Sequence, residues 1–403
     1  MKKIGSLLLA FTILLALTAC GGEKTPPAAG GNGGDGGTGA APAYSSGADL
    51  LSWSWEDIEA AAKQEGELTF AVWNDEAEWN QVADTFKARY GVKVNVLAGE
   101  KTTVMDKVLT ELDGKASIDV MFLSGETVNG LLGADALLPG ILDVMEYKDS
   151  LVPGLSVRKE GVSNDQGWWV PVSTSPAGFL YNADQISGDA LPQTFQELEA
   201  FINENPGRFA MCIPENGGTG QGVMESIIAN LTGGLDQYLL AEDGVCDPAL
   251  LEKWSAVWDW FNLYKDKITF TTSNGDGISR LNSGEVWLVT AWNSGVYNAA
   301  SQGNLSINHG FYVPEMGLCY SGEVMSLVKN ASHPAAALLF TNWLTSEEGQ
   351  TAQADYTKNM TGRTDLEQGI CLLTPEDRAR NTDWMAACYK TQYIKDFTTN
   401  VLQ

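Results

Sequence analysis

Two tryptophans in this chain stand beside polar partners. Trp73-Asn74-Asp75 sets an aromatic face, an amide and a carboxylate in succession, and Trp292-Asn293, with Tyr297 nearby, repeats the pairing of ring and amide. Such rings could sandwich a sugar ring, an amine or a heterocycle, and each contact with a cation would contribute about 0.5–2 kcal/mol. Core packing competes for both tryptophans, and Asp75 equally suits a helix cap. Ser124-Gly125-Glu126 is small and polar, open to close approach of a backbone. Gly217-Gly218-Thr219-Gly220-Gln221 would open a helix whose free N–H groups could hold a carboxylate or phosphate. Its glycines would serve a tight turn just as well. Thr174 and Ser175 complete the candidate ligand-binding set.

Bond-breaking chemistry has fewer footholds. No GxSxG elbow, Walker A loop, HExxH pair or CxxC occurs, and His309 and His333 are the only histidines. His333 precedes Pro334 at an expected helix start, where capping is more natural than catalysis. No catalytic residue, metal site or cofactor is therefore assigned. Acidic residues abound, and spacing in sequence does not give separation in space, so a glycosidase built on two carboxylates stays open.

The elements that must position these residues follow from periodicity. A helix is predicted from Trp55 to Glu65, ended at Gly66, and a strand over Leu68–Trp73. A second helix runs from Glu76 to Tyr90 and is closed by Gly91. Val92–Val96 reads as a strand, Thr103–Leu112 as a helix and Ile118–Phe122 as a third strand. That alternation implies an α/β fold with a parallel sheet and helices on its faces. The second half repeats the grammar: Trp168–Val172 leading into Ala177–Tyr181, a helix capped by Thr194 with Glu197 three residues on, and a strand at Phe209–Ile213. A helix from Gly220 and strands at Val286–Trp292, Phe311–Pro314 and Glu323–Val328 follow, then a helix from Pro334. Trp254, Trp258 and Phe261 share one helical face and read as core. No internal repeat is evident.

The N-terminus sets the compartment. Lys2 and Lys3 precede an apolar run from Ile4 to Leu17, too short for a comfortable membrane span and laid out as an export signal. Leu17-Thr18-Ala19-Cys20 resembles the lipobox of bacterial lipoproteins. The resemblance implies a signal peptide over 1–19, acylation of Cys20, and a membrane anchor made by several acyl chains. Residues 20–47 would comprise that Cys and a flexible tether of Gly, Ala, Pro and Thr. With 51 acidic against 25 basic residues and a net charge of -26, nucleic acid and anionic headgroups are disfavoured partners. Disulfides are permitted outside the cytoplasm. Spacing favours Cys212–Cys246 and Cys371–Cys388 with Cys319 left over, among the many pairings five thiols admit.

The order of short signatures resembles the extracytoplasmic solute-binding proteins of ABC importers, of the type II architecture, in the branch with spermidine/putrescine, ferric-iron and thiamine binders. Trp169-Val170-Pro171-Val172 followed by Gly178-Phe179-Leu180-Tyr181-Asn182 is similar to that family's first crossing between lobes. Leu281 to Trp287 followed by Trp292-Asn293 resembles the return crossing, and Val313 to Gly317 a "P-x-G" strand. Ser332 to Ala337 with Asn342-Trp343-Leu344 and Ser346 to Gln350 resembles the late packing helix. The resemblance implies a periplasmic-binding-protein-like fold with a ligand cleft between two lobes. Lobe 1 would hold 48–172 plus about 289–330, and lobe 2 would hold 173–288 plus about 331–403 with the C-terminal helices. It implies a monomer that captures a small polar solute (a polyamine, another cationic or sugar-like solute, or an anion) and delivers it to a membrane permease. Departures cloud the ligand: no carboxylate follows Trp292, and no adjacent tyrosine pair occurs. A secreted, lipid-anchored carbohydrate-active enzyme or a surface receptor module is the alternative.

Overall fold

Local signals set the element boundaries. The helix Trp55–Glu65 stops at Gly66 and the helix Glu76–Tyr90 at Gly91, both left-handed at φ 79 and φ 76. A side chain at either position would be strained. The Thr194 hydroxyl accepts from Glu197 N–H at 3.2 Å, and the Glu197 carboxylate accepts from Thr194 N–H at 2.9 Å, closing the expected capping box. The computed structural model describes residues 43–241, 244–366 and 370–403. The expected leader, Cys20 and the linker up to residue 42 lie outside the described residues. Among the described residues no helix is long and apolar enough to cross a membrane.

The described strands are β1 (Glu67–Val72), β2 (Lys93–Ala98), β3 (Val120–Leu123), β4 (Arg158–Lys159), β5 (Val162–Ser163), β6 (Val170–Asn182), β7 (Phe209–Cys212), β8 (Ile268–Thr271), β9 (Leu288–Trp292), β10 (His309–Tyr312), β11 (Leu318–Leu327), β12 (Met360–Thr361) and β13 (Asn381–Thr382). One curled sheet runs in the order β2-β1-β3-β11-β6-β9-β7-β8, while β4 and β5 form a separate hairpin. β1 pairs in parallel with β2 and β3, and β7 does so with β8 and β9. β6 and β11 run antiparallel to each other and join these two parallel halves. The fold is the mixed α/β class that the sequence pattern predicts.

Each half has its own core. In the first, Phe70, Trp79, Phe86 and Phe122 pack against Phe340 and Trp343 of the helix Pro334–Thr345. The start of that helix is pinned by carboxylates: Glu65 accepts from Ala335 N–H (3.2 Å) and Ala336 N–H (2.7 Å), and buried Asp119 accepts from His333 N–H at 2.7 Å. In the second half, Phe179, Phe209, Trp254 and Phe261 pack against Tyr389, Tyr393 and Phe397 of the C-terminal helix Ala387–Phe397.

Two features differ from the expected division. The return crossing is β11, which pairs with β3 over Val324–Leu327 and with β6 over Tyr320–Met325. β9 lies wholly within the second half, between β6 and β7. The helix Pro334–Thr345 belongs to the first half, not the second. Both apolar strands look alike in sequence, and only long-range pairing separates a crossing from an ordinary strand. The cysteines also differ from expectation. All five that are described are thiols, and Cys246 faces Cys388 rather than Cys212. Cys371 Sγ instead donates to Leu373 C=O at 3.3 Å.

Candidate functional site

A cavity of about 610 Å³ opens where strand ends from both halves meet. Trp73, Asn74 and Asp75 follow β1, Ser124 and Glu126 follow β3, Gly218 and Gln221 follow β7, and Trp292 and Ser294 follow β9. Loops beyond the carboxyl ends of strands are where an open α/β sheet binds ligands. Six helices begin at this wall, marked by Asp75, Lys101, Ser124, Gly218, Asn274 and Trp292 at or just before their first residues. The positive dipole ends of these helices therefore lie at one wall, although Thr219 N–H and Asp276 N–H are already taken by Asn274 and Ser273.

Six of the twelve candidates line this cavity: Trp73, Asn74, Asp75, Ser124, Ser175 and Trp292. Trp73 is half-buried, with its ring 5.3 Å from that of Phe122 and Lys101 Nζ 5.2 Å from its centroid. Trp292 packs 6.2 Å from Trp384. The Asp75 side chain makes no cap bond, and its backbone is held at φ 53, a conformation costly for a residue with a Cβ. Ser175 shares a hydrogen bond of 3.0 Å with Ser294, linking β6 to the helix Asn293–Ser301.

The other six serve the frame. Thr174 points to the opposite face of β6 from Ser175, and its hydroxyl donates to Thr361 C=O at 3.1 Å. Thr219 is fully buried and donates its hydroxyl to Asn274 Oδ1 at 2.7 Å. A Cβ on Gly220 would lie 1.9 Å from Cys212 C=O, so this glycine lets the helix Gly218–Thr232 press on β7. Asn293 is fully buried, donating to Ile370 C=O at 3.0 Å and accepting from Leu372 N–H at 2.9 Å. Tyr297 packs beside Met360 and Ile370. Gly125 leaves room for a side chain of the protein itself: a Cβ there would sit 2.5 Å from Glu160 Oε2.

Glu160 heads the group that sequence reasoning missed. It stands with Gly161 at the tip of the β4–β5 hairpin, at φ 45 and φ 93. Burial alone would raise its carboxyl, but Lys390, Lys159 and Lys101 together hold it down to about 2. Lys159 Nζ lies 3.4 Å from Glu160 Oε1 and donates to Gly322 C=O at 2.7 Å, and Lys390 Nζ lies 3.4 Å from Glu160 Oε2. Lys390 also stands 5.0 Å over the ring of Trp384. Glu323 sits at a register shift of β11, and burial raises its carboxyl. Its Oε2 has no hydrogen-bond partner among the described residues. The one signal available for this group was Glu160-Gly161 between Lys159 and Val162, a two-residue hairpin turn. Trp384 and Lys390 carry no motif.

A family model described as bacterial extracellular solute-binding protein matches residues 81–379. No curated protein matches the chain in sequence. Among solved structures, the chain is similar to iron-bound HitA from Pseudomonas aeruginosa, with TM-score 0.58 and 18% identity over 82% of this chain and 98% of that one. It is similar to the spermidine/putrescine ABC transporter substrate-binding protein PotD from Streptococcus pneumoniae, with TM-score 0.62 and 15% identity over 83% and 98%. AfuA from Actinobacillus pleuropneumoniae, with fructose-6-phosphate bound, gives TM-score 0.56 and 17% identity over 84% and 99%. At these identities the likeness is one of fold, and the fold is that of the periplasmic-binding-protein-like neighbours.

Proposed function

The chain belongs to the bacterial extracellular solute-binding protein family, and from that premise we propose that it serves an ABC importer and that its cavity captures a small polar solute with an anionic group and a flat face. One observation carries the choice of ligand: six helix N-termini open at one space, whose lysines, Lys101, Lys159 and Lys390, are balanced by Glu126 and Glu160, with Asp75 and Glu323 at the same wall. Each N-terminus favours negative charge by about 0.3–1 kcal/mol. Trp73 and Trp292 supply apolar faces for the rest of the solute, and exposed Asn74 and Asp75 can take its hydroxyl or ammonium groups. A phosphorylated or carboxylated sugar fits this description, and the fructose-6-phosphate held by AfuA lends it support. The subunit makes and breaks no bond. It closes on the solute because contacts to both halves favour the closed form, then delivers its cargo to a permease. The same reading assigns removal of residues 1–19, lipid on Cys20 and a tether shorter than the expected stretch to residue 47, since Tyr44 packs on Trp53 and Gly47 starts a helix of the body, with a monomeric body above the membrane.

Thermal melts of the body against sugar phosphates, sugar acids, polyamines and thiamine test the ligand. A cognate solute at a hundredfold excess over Kd adds about 2.7 kcal/mol of stability. Stabilisation by polyamines alone would overturn the anion reading, and silence across the panel would overturn capture. Trp73→Ala and Trp292→Ala are expected to weaken binding at least tenfold with an unchanged circular dichroism spectrum. Loss of that spectrum in both would return the rings to the core. Detergent partitioning tests the anchor, and a Cys20→Ala protein that stays in the detergent phase would exclude it.

The glycosidase alternative draws on one observation, the two carboxyls Glu160 and Glu323 at one cavity with their proton affinities pushed apart. Against it, Glu160 is already held by two lysines. Release of product from the bound sugar would favour the enzyme.

A further inference from the structure

All five described thiols lie in the second half or beside it, but only two meet. Cys212 is buried beneath Gly217, whose Cβ would lie 2.8 Å from its Sγ. Cys319 is buried under Gly222, and Cys371 is engaged with Leu373. The Cys246 and Cys388 thiols are in hydrogen-bonding contact, and both are partly exposed.

We infer that Cys246 and Cys388 become a disulfide in the mature protein, stapling the segment before the helix Pro248–Glu252 to the C-terminal helix that carries Lys390. The sulfurs are held together by their neighbours on both sides. Asp247 N–H donates to Tyr389 Oη at 3.1 Å, across 142 positions of sequence. Ala386 N–H donates to Tyr238 C=O at 2.8 Å, and the Tyr238 and Tyr389 rings meet edge to face at 5.1 Å. Closing the bond asks for little backbone movement where both backbones are already pinned. The compartment supplies the other requirement, since disulfides persist outside the cytoplasm.

The oxidant is a small-molecule or protein disulfide. One thiol loses its proton and attacks a sulfur of that disulfide, expelling one thiolate and forming a mixed disulfide. The second cysteine thiolate then attacks the protein-side sulfur and expels the other. Two protein thiols and one disulfide thus give one protein disulfide and two small thiols, with both protons passing to the leaving thiolates. Burial raises both protein thiols, so exchange is slow at neutral pH and faster in alkali. The inference does not depend on which solute the cavity takes.

Peptide mapping tests it. Protein purified from the exported fraction, and a second sample incubated with oxidised glutathione at pH 8.5, are unfolded, alkylated without reduction and digested. The expected product is one linked peptide pair containing Cys246 and Cys388, lighter than the two thiol peptides by two hydrogens, with Cys212, Cys319 and Cys371 alkylated. Alkylation of both Cys246 and Cys388 in both samples would overturn the inference, as would linkage of Cys246 to Cys212. In melts, reduction should lower the Tm of the oxidised protein by about 5 °C, a large loop being released. The double variant Cys246→Ser with Cys388→Ser should show no response to reductant. An unmodified protein whose Tm ignores reductant equally would contradict the staple.

Discussion

Glu160 and Glu225 are both carboxyls shut away from solvent, and they settle at opposite ends of the titration range. Burial pushes Glu225 up to about 7, against the pull of Met385 N–H, Lys390 and the Tyr393 hydroxyl. Its native form therefore holds a proton that the unfolded chain releases near the ordinary carboxylate value of 4.5. Stability from this group is present below that value and falls as pH rises through about 7. Glu160 works the other way: held at about 2 by its lysines, it stabilises above the ordinary value and loses that contribution as pH falls toward 2. Between pH 5 and 7 Glu225 contributes a slope of at most about 1.4 kcal/mol per pH unit, in the same direction as Glu65 and Glu323, whose carboxyls burial also raises. Urea melts of Glu225→Gln should show a flatter profile over this range than the parent. Equal slopes in both proteins would place the titration elsewhere.

At the scale of elements, the β4–β5 hairpin decides how much of the site could be read in advance. Its tip lies against the far half: a Cβ on Gly161 would fall 2.4 Å from Ala386 Cβ and 2.7 Å from its Cα. Gly161→Ala should cost at least about 2 kcal/mol in chemical denaturation, since neither backbone can yield. A loss below about 0.5 kcal/mol would mean that the tip lifts away freely. Trp73, Ser124 and Trp292 were legible because strand ends mark the ligand side of an α/β sheet, and the strands themselves announce where they end. Lys159, Glu160, Trp384 and Lys390 were not, because a short hairpin and a C-terminal helix reach the cavity from distant parts of the chain. Thr174 shows a finer limit. It and Ser175 were both expected to bind ligand, but neighbours on a strand face opposite ways, and only the pairing of β6 says which of the two the cavity receives. Similarly, the apolar runs that became β9 and β11 were both recognised, while the crossing was given to the wrong one.

At the scale of the whole molecule, the long strands β6 and β11 join the two halves through the sheet, the chain passes between them again after the helix Glu347–Thr357, and β11 shifts register between Glu323 and Val324 inside its passage. Local twist concentrates where one strand holds an extra residue, so this is the expected pivot. Small-angle scattering should record a smaller radius of gyration when the cognate solute is added, and an unchanged curve at saturation would argue for a rigid receptor. The hairpin's ion trio bears on a different matter, the water in which the protein works. A chain of net charge -26 has an outer surface whose fields shrink to about 10 Å at 0.1 M ionic strength. Lys159, Glu160 and Lys390 expose only 6%, 9% and 16% of their side chains, leaving little room for dissolved counterions to enter. Their mutual attraction should weaken little between dilute buffer and brine, so this contact would stay intact while the charges outside faded.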